Sequence, residues 1–122
     1  GGGQGIGLAT VERLAEDGFA VAAIDRNPEA IARARSAIGG RHPAVTWHVA
    51  DVTDRAAIRA VVSAQPRVDV VVCAAGVPGL APLRDVTEDQ FRRMLDVNLV
   101  GLFVCAQECI KRMGAGGRVI LI

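Results

Sequence analysis

Five glycines fall in the first seven residues, Gly1-Gly2-Gly3-Gln4-Gly5-Ile6-Gly7. Glycine lets a backbone turn sharply and lets an anion come close, because no Cβ intervenes. An amphipathic run follows directly. Leu8, Val11, Leu14 and Ala15 recur at helical spacing, Glu12, Arg13, Glu16 and Asp17 face the other way, and Gly18 is placed to end the helix. A helix start offers unpaired N–H groups and the positive end of its dipole, so the chemistry implied is the binding of a phosphate or pyrophosphate. The pattern is neither G-x-G-x-x-G nor G-x-x-x-x-G-K-[ST]. It is G-x-x-x-G-x-G, carried by Gly1, Gly5 and Gly7. Read alone, the stretch also fits a flexible glycine-rich terminus.

Four more polar residues bear on a nucleotide. Asp25 closes the apolar run 19–24. A carboxylate there accepts hydrogen bonds from the ribose hydroxyls of an adenosine and repels a 2′-phosphate, which favours NAD over NADP. Arg26 pulls the other way, since an arginine beside the ribose holds a phosphate or stacks on adenine. Asp25 also fits a turn residue capping the next helix, and Asp51 taken alone reads the same way. Asn98 lies among Leu95, Leu99, Leu102 and Phe103, where an amide is costly unless paired. Its spacing fits a core hydrogen-bonding role as well as a functional one.

The elements that must position these residues alternate. Apolar runs at 19–24, 44–50, 68–73 and 118–122 read as strands of a buried parallel sheet. Helices are expected after the glycine loop, from Pro28 to Gly39-Gly40, from Asp54 to Gln65, and over 87–113, the last with Thr87 and Gln90 as a capping box and a kink along it. Residues 77–86 read as a loop and 114–117 as a linker. The result is one α/β domain over 1–122, a Rossmann-type doubly wound parallel sheet in three αβα layers.

Composition removes several classes. The net charge is +1 and basic residues do not cluster with aromatics, which gives nucleic-acid binding no electrostatic support. No apolar run reaches the roughly 18 to 20 residues of a membrane helix. Cys73, Cys105 and Cys109 lack C-x-x-C spacing and have no nearby histidine, so they read as reduced core thiols of a cytoplasmic protein rather than metal ligands. No metal site is expected. His42, His48 and Trp47 carry no spacing that demands a function, and the histidines read as surface or turn residues.

The glycine loop and the motifs after it resemble the short-chain dehydrogenase/reductase family, across essentially the whole chain but only over that family's cofactor half. By this resemblance Gly1, Gln4, Gly5, Ile6 and Gly7 form the pyrophosphate loop, and Asp25 and Arg26 face the adenosine ribose. Asp51 and Val52 would meet the adenine. Cys73-Ala74-Ala75-Gly76 keeps only the second half of the family's Asn-Asn-Ala-Gly; Ala74, Ala75 and Gly76 would pass the ribose and nicotinamide, with any side-chain bonds of the two asparagines lost. Asn98 of Asn98-Leu99-Val100-Gly101 matches Asn-x-x-Gly, a catalytic position that holds a helix distortion and a water leading to the catalytic lysine, and Val97 would lie beside the cofactor.

What the resemblance implies is an NAD-dependent oxidoreductase, with NADP the second choice, acting on a secondary alcohol or ketone. The look is that of the 3-oxoacyl-carrier-protein reductase and sugar or polyol dehydrogenase branch. It also implies a homo-oligomer, dimer or tetramer, built on the 87–113 region, whose apolar residues occupy more than one face. The chain has no tyrosine, so the family's Tyr-x-x-x-Lys cannot lie in it, and the family's serine would follow Ile122. An NAD(H) sensor without turnover is the rival. A nucleotide-sugar epimerase or dehydratase would carry a different glycine spacing, G-x-x-G-x-x-G. Both ends look internal to a longer protein: the glycine loop lacks a launching strand, whose place is the centre of the sheet, so the isolated 122-mer is not expected to unfold cooperatively.

Overall fold

The computed structural model describes residues 1–79 and 81–122; Leu80, in the loop expected over 77–86, lies outside the described residues. Helix α1 spans Gly5–Glu16, strand β1 Val21–Asp25, α2 Pro28–Ile38, β2 Val45–Val49, α3 Arg55–Ser63 and β3 Val68–Cys73. A short 3-10 turn, Leu83–Asp85, precedes α4 at Glu88–Leu95, a π-helical turn at Asp96–Gly101, α5 at Leu102–Ile110 and β4 at Met113–Leu121.

Local chemistry sets most of these boundaries. Asn27 caps α2 by accepting from the N–H groups of Glu29 and Ala30, at 2.9 and 3.2 Å, with Pro28 in the first turn where its missing N–H costs nothing. Asp54 caps α3 in the same way. Thr87 and Gln90 close the expected capping box on α4.

β1 pairs in parallel with β2, from Val21↔Val45 to Asp25↔Val49, and β3 pairs in parallel with β4, from Val70↔Arg118 to Cys73↔Leu121. Successive residues of β1 point to opposite faces. Ala23 joins Val11 of α1 and Ile38 of α2 in one apolar cluster, whereas Ile24 packs on Ile58 and Val62 of α3 and Val104 of α5 in the other. Helices therefore cover both faces of a parallel sheet, and the expected three-layer α/β architecture is what the chain adopts.

Among the described residues β1–β2 and β3–β4 form two separate ladders, and the space of about 220 Å³ between β1 and β3 is lined also by Val11, Leu14, Ile58 and Cys105.

Two expectations need correction. The glycine run 114–117 is not a linker: β4 starts at Met113, which pairs with Val68, and the ladder slips between Val68 and Val70. Gly116, inside that slip, has a φ of 86, a left-handed angle that favours glycine. The 87–113 region is not one kinked helix ending at Met113 either. It is interrupted by the π-helical turn and stops at Ile110. No helix among the described residues is long and apolar enough to cross a membrane.

One buried carboxylate ties α5 to α3. Glu108 of α5, only 3% exposed, accepts from Arg55 and Arg59 of α3 and from Lys111. Its pKa falls to about 2, chiefly through the Lys111 bond, with burial opposing and the two arginines adding to the fall.

Candidate functional site

The chain enters the glycine loop between the ends of β1 and β3. The α-amino group of Gly1 and the N–H of Gly2 both donate to the Ile24 carbonyl, at 3.0 and 2.8 Å. A Cβ on Gly1 would stand 2.5 Å from the Ala74 carbonyl oxygen, and one on Gly7 would stand 1.8 Å from the Gly1 carbonyl oxygen. Gly5 serves a different need: at φ 54 it supplies a left-handed turn, with open space where a side chain would be. Helix α1 already begins at Gly5, so Gly5, Ile6 and Gly7 form its first turn rather than a loop before it. Gln4 gives no side-chain cap and no acidic residue stands in that turn. Its N–H groups are left for an external anion.

Asp25 is buried, 6% exposed, and its carboxylate is turned onto this loop. One oxygen accepts from the Gly3 N–H at 3.1 Å and the other from the Asn27 N–H at 2.9 Å. Burial opposes its charge, but these two donors, Asn27 then Gly3, hold the carboxyl below its usual range. The expected ribose ligand is thus also the brace of the phosphate loop. An ionised carboxylate has about four acceptor sites, so capacity remains for a hydroxyl.

Beyond Asp25 a cavity of about 420 Å³ is bounded by Arg26, Asp51, Thr53, Arg93, Asp96, Val97 and Val100. Asp51 accepts from the N–H and the hydroxyl of Thr53, at 2.9 and 2.8 Å. The Thr53 N–H lowers its pKa most; burial opposes, and the Thr53 hydroxyl and the charges of Arg26 and Arg93 lower it further. Val97 is buried against the cavity, and Val52 packs so closely on Gly101 that a Cβ there would lie 2.5 Å from its methyl group.

At the other end, Ala74, Ala75 and Gly76 follow β3. Asn98 is exposed rather than buried among leucines, and it grips the next residue with both halves of its amide. Its oxygen accepts from the Val77 N–H at 2.8 Å, and its nitrogen donates to the Val77 carbonyl at 2.9 Å. The residue sits within the π-helical turn, a distortion that recurs at functional sites.

The expected site residues from Asp25 to Gly76 gather at the carboxyl ends of β1, β2 and β3, and Arg26, Asp51 and Val97 share the cavity. Gln4 and Ile6 are exposed on the loop and first turn, Ile6 at 64%. Four participants were not anticipated. Gly3 and Val77 act through main-chain atoms, which side-chain patterns do not reveal. Arg93 had a signal, since it stands one helical turn before Val97. Gly101 was visible only as the end of a motif. Among the histidines, His42 is half-buried just after the turn that follows α2, and its Nε2 has no partner among the described residues.

Arg26, Asp51 and Ala74 each follow the carboxyl end of a strand. In open α/β sheets that is where ligands bind, and a glycine-lined helix start there defines a dinucleotide-binding fold. The comparisons specify the family: the short chain dehydrogenase family matches residues 1–122, and the chain belongs to it. An uncharacterised oxidoreductase of Methylorubrum extorquens is 37% identical over 100% of this chain and 51% of its own length. The NAD(+)-dependent 2-dehydro-3-deoxy-L-rhamnonate dehydrogenase of a Sphingomonas strain is 34% identical over 96% of this chain and 47% of its own. The crystal structure of a short chain dehydrogenase from Burkholderia cenocepacia in complex with NADP superposes with a TM-score of 0.87 at 31% identity, covering 98% of this chain and 51% of that one. The chain spans about half the length of the relatives it matches.

Proposed function

We propose that this chain holds the dinucleotide of an NAD(P)-dependent oxidoreductase, NAD preferred, that moves a hydride between the nicotinamide and a secondary alcohol or ketone. The observation that carries the reading is the uncapped start of α1, packed through Gly1 and Gly7 and braced by buried Asp25. The residues fit the group: a side chain at either glycine would collide with main-chain atoms, so the loop is shaped to let a pyrophosphate approach the N–H groups. Bound, the cofactor supplies or accepts the hydride. Asp25 and Arg26 would orient the adenosine ribose, Asp51, Val52 and Val97 the adenine, and Ala74, Ala75 and Gly76 the nicotinamide end. Asn98, by fixing Val77, would hold the strand-end loop beside the reacting centre and anchor the proton relay that the resemblance implies. Three free thiols fit a reducing, cytoplasmic setting. Sugar acids and polyols are the first substrates to try, given the Sphingomonas relative's printed activity.

The test uses the full-length product of the parent gene. We expect NADH binding and cofactor turnover with a panel of secondary alcohols and ketones. Binding without turnover across the panel would favour the sensor reading, and no binding would end both.

The same reading includes self-association through α4 and α5. Phe91, Leu99, Phe103 and Ile110 are each more than half exposed. Exposed apolar side chains of this size mark an interaction surface. Light scattering on the full-length protein should report a dimer or tetramer that Leu99→Glu with Phe103→Glu dissociates; a monomeric wild-type protein would remove the proposal.

A further inference from the structure

We propose that Arg93, contributed by helix α4, is a cofactor-selecting residue that works with Arg26 to take a ribose 2′-phosphate, so that NADP is accepted beside the preferred NAD. The inference rests on the dinucleotide reading above and extends it to a residue outside the strand-end loops.

Three observations carry it. Arg26 and Arg93 come from different elements and line the same cavity as Asp51 and Val97. Both are exposed, and neither has an ion-pair or hydrogen-bond partner among the described residues, whereas Arg13, Arg41, Arg55, Arg59 and Arg92 all do. Both act electrostatically at the cavity, since each stabilises the ionised form of Asp51. The carboxylate that would repel a phosphate is meanwhile committed elsewhere. Asp25 is buried, with one oxygen on the Gly3 N–H and the other on the Asn27 N–H. These main-chain donors weaken the repulsion it offers a phosphate without removing it.

Two uncommitted guanidinium groups around one cavity suit a dianion better than a hydroxyl pair, because a guanidinium bonds phosphate oxygens in a bidentate fork. Asp51 and Asp96 share the cavity, so its net charge is near balance and a neutral ribose is not excluded. NAD therefore binds well, and NADP finds partners for its extra charge.

The experiment measures NADH and NADPH affinities on the full-length wild-type protein and on the Arg93→Ala and Arg93→Lys variants by fluorescence titration. In the wild type the two affinities should lie within about tenfold of each other. Arg93→Ala should weaken NADPH by about tenfold, the effect of losing one charge-assisted hydrogen bond, and NADH by less than about twofold. Arg93→Lys should recover part of the loss, and the NADPH affinity should fall more steeply with salt in the wild type than in Arg93→Ala. Equal losses for both cofactors would mean that Arg93 stacks on the adenine and selects nothing, which overturns the proposal, as does no change in either. If the wild type binds neither cofactor, the dinucleotide reading itself fails. Retained NADH binding in each variant shows that it has folded.

Discussion

Alanine in place of Gly7 is expected to abolish useful dinucleotide binding by the full-length protein, raising Kd for NADH by about 100-fold or more, equivalent to about 2.7 kcal/mol. The added methyl carbon would stand 1.8 Å from the Gly1 carbonyl oxygen and 2.7 Å from its carbon, both main-chain atoms with no rotamer to change. Gly1 has nowhere to retreat, because its own Cα hydrogen already faces the Ala74 carbonyl. The start of α1 must shift instead, taking the first-turn N–H groups away from the anion they would hold. Gly5→Ala should be milder, since open space surrounds it and only its φ of 54° is unfavourable, at about 1–2 kcal/mol. Gly40→Ala, where a methyl group meets nothing within 4 Å, is the control and should bind as the wild type does. An NADH titration decides the matter. Wild-type affinity in a folded Gly7→Ala protein would show that the loop does not approach the pyrophosphate.

The order of elements was readable because it depends on properties a sequence displays directly. Alternating apolar runs, Asn27-Pro28, Asp54 and the Thr87–Gln90 pair each encode a local preference that the fold obeys. The glycine spacing was informative because contacts near 2 Å leave no alternative residue. What could not be read depends on partners distant in sequence. Glu108 looks like a solvated helix residue until α3 brings Arg55 and Arg59 against it. The register slip that draws 114–117 into β4 is set by how Met113 meets Val68, a pairing no local pattern encodes. Asn98 was placed among leucines by spacing, yet Leu95 and Leu99 are exposed as it is, and its partner Val77 lies 21 residues away in sequence. Asp25 was identified by position, but its orientation onto Gly3 follows from the path of the glycine loop.

That orientation makes Asp25 the second position where one substitution should have a large effect. Asp25→Asn preserves shape but replaces one acceptor oxygen by an NH₂ group. In the wild type both oxygens accept, one from Gly3 and one from Asn27. The amide can satisfy only one of these donors, and the other is left facing a second donor in a buried site, at a cost of about 1–3 kcal/mol. If Gly3 is the one released, the loop loses its brace. NADH affinity should then fall by about 30-fold, within the range of that penalty. NADPH affinity should fall less, since removing the negative charge relieves the 2′-phosphate, so the preference for NAD narrows. The pH dependence has a definite sign. The folded carboxyl titrates below its usual 3.8, so its stabilising contribution is complete above that value and is lost as pH falls through the lower folded pKa. The stability gap between wild type and Asp25→Asn should therefore be flat at neutral and mildly acidic pH and close only below about pH 4. A gap that closes nearer neutrality would mean that burial dominates and the carboxyl is raised. An Asn variant with wild-type affinity would show that the Gly3 bond does not hold the loop.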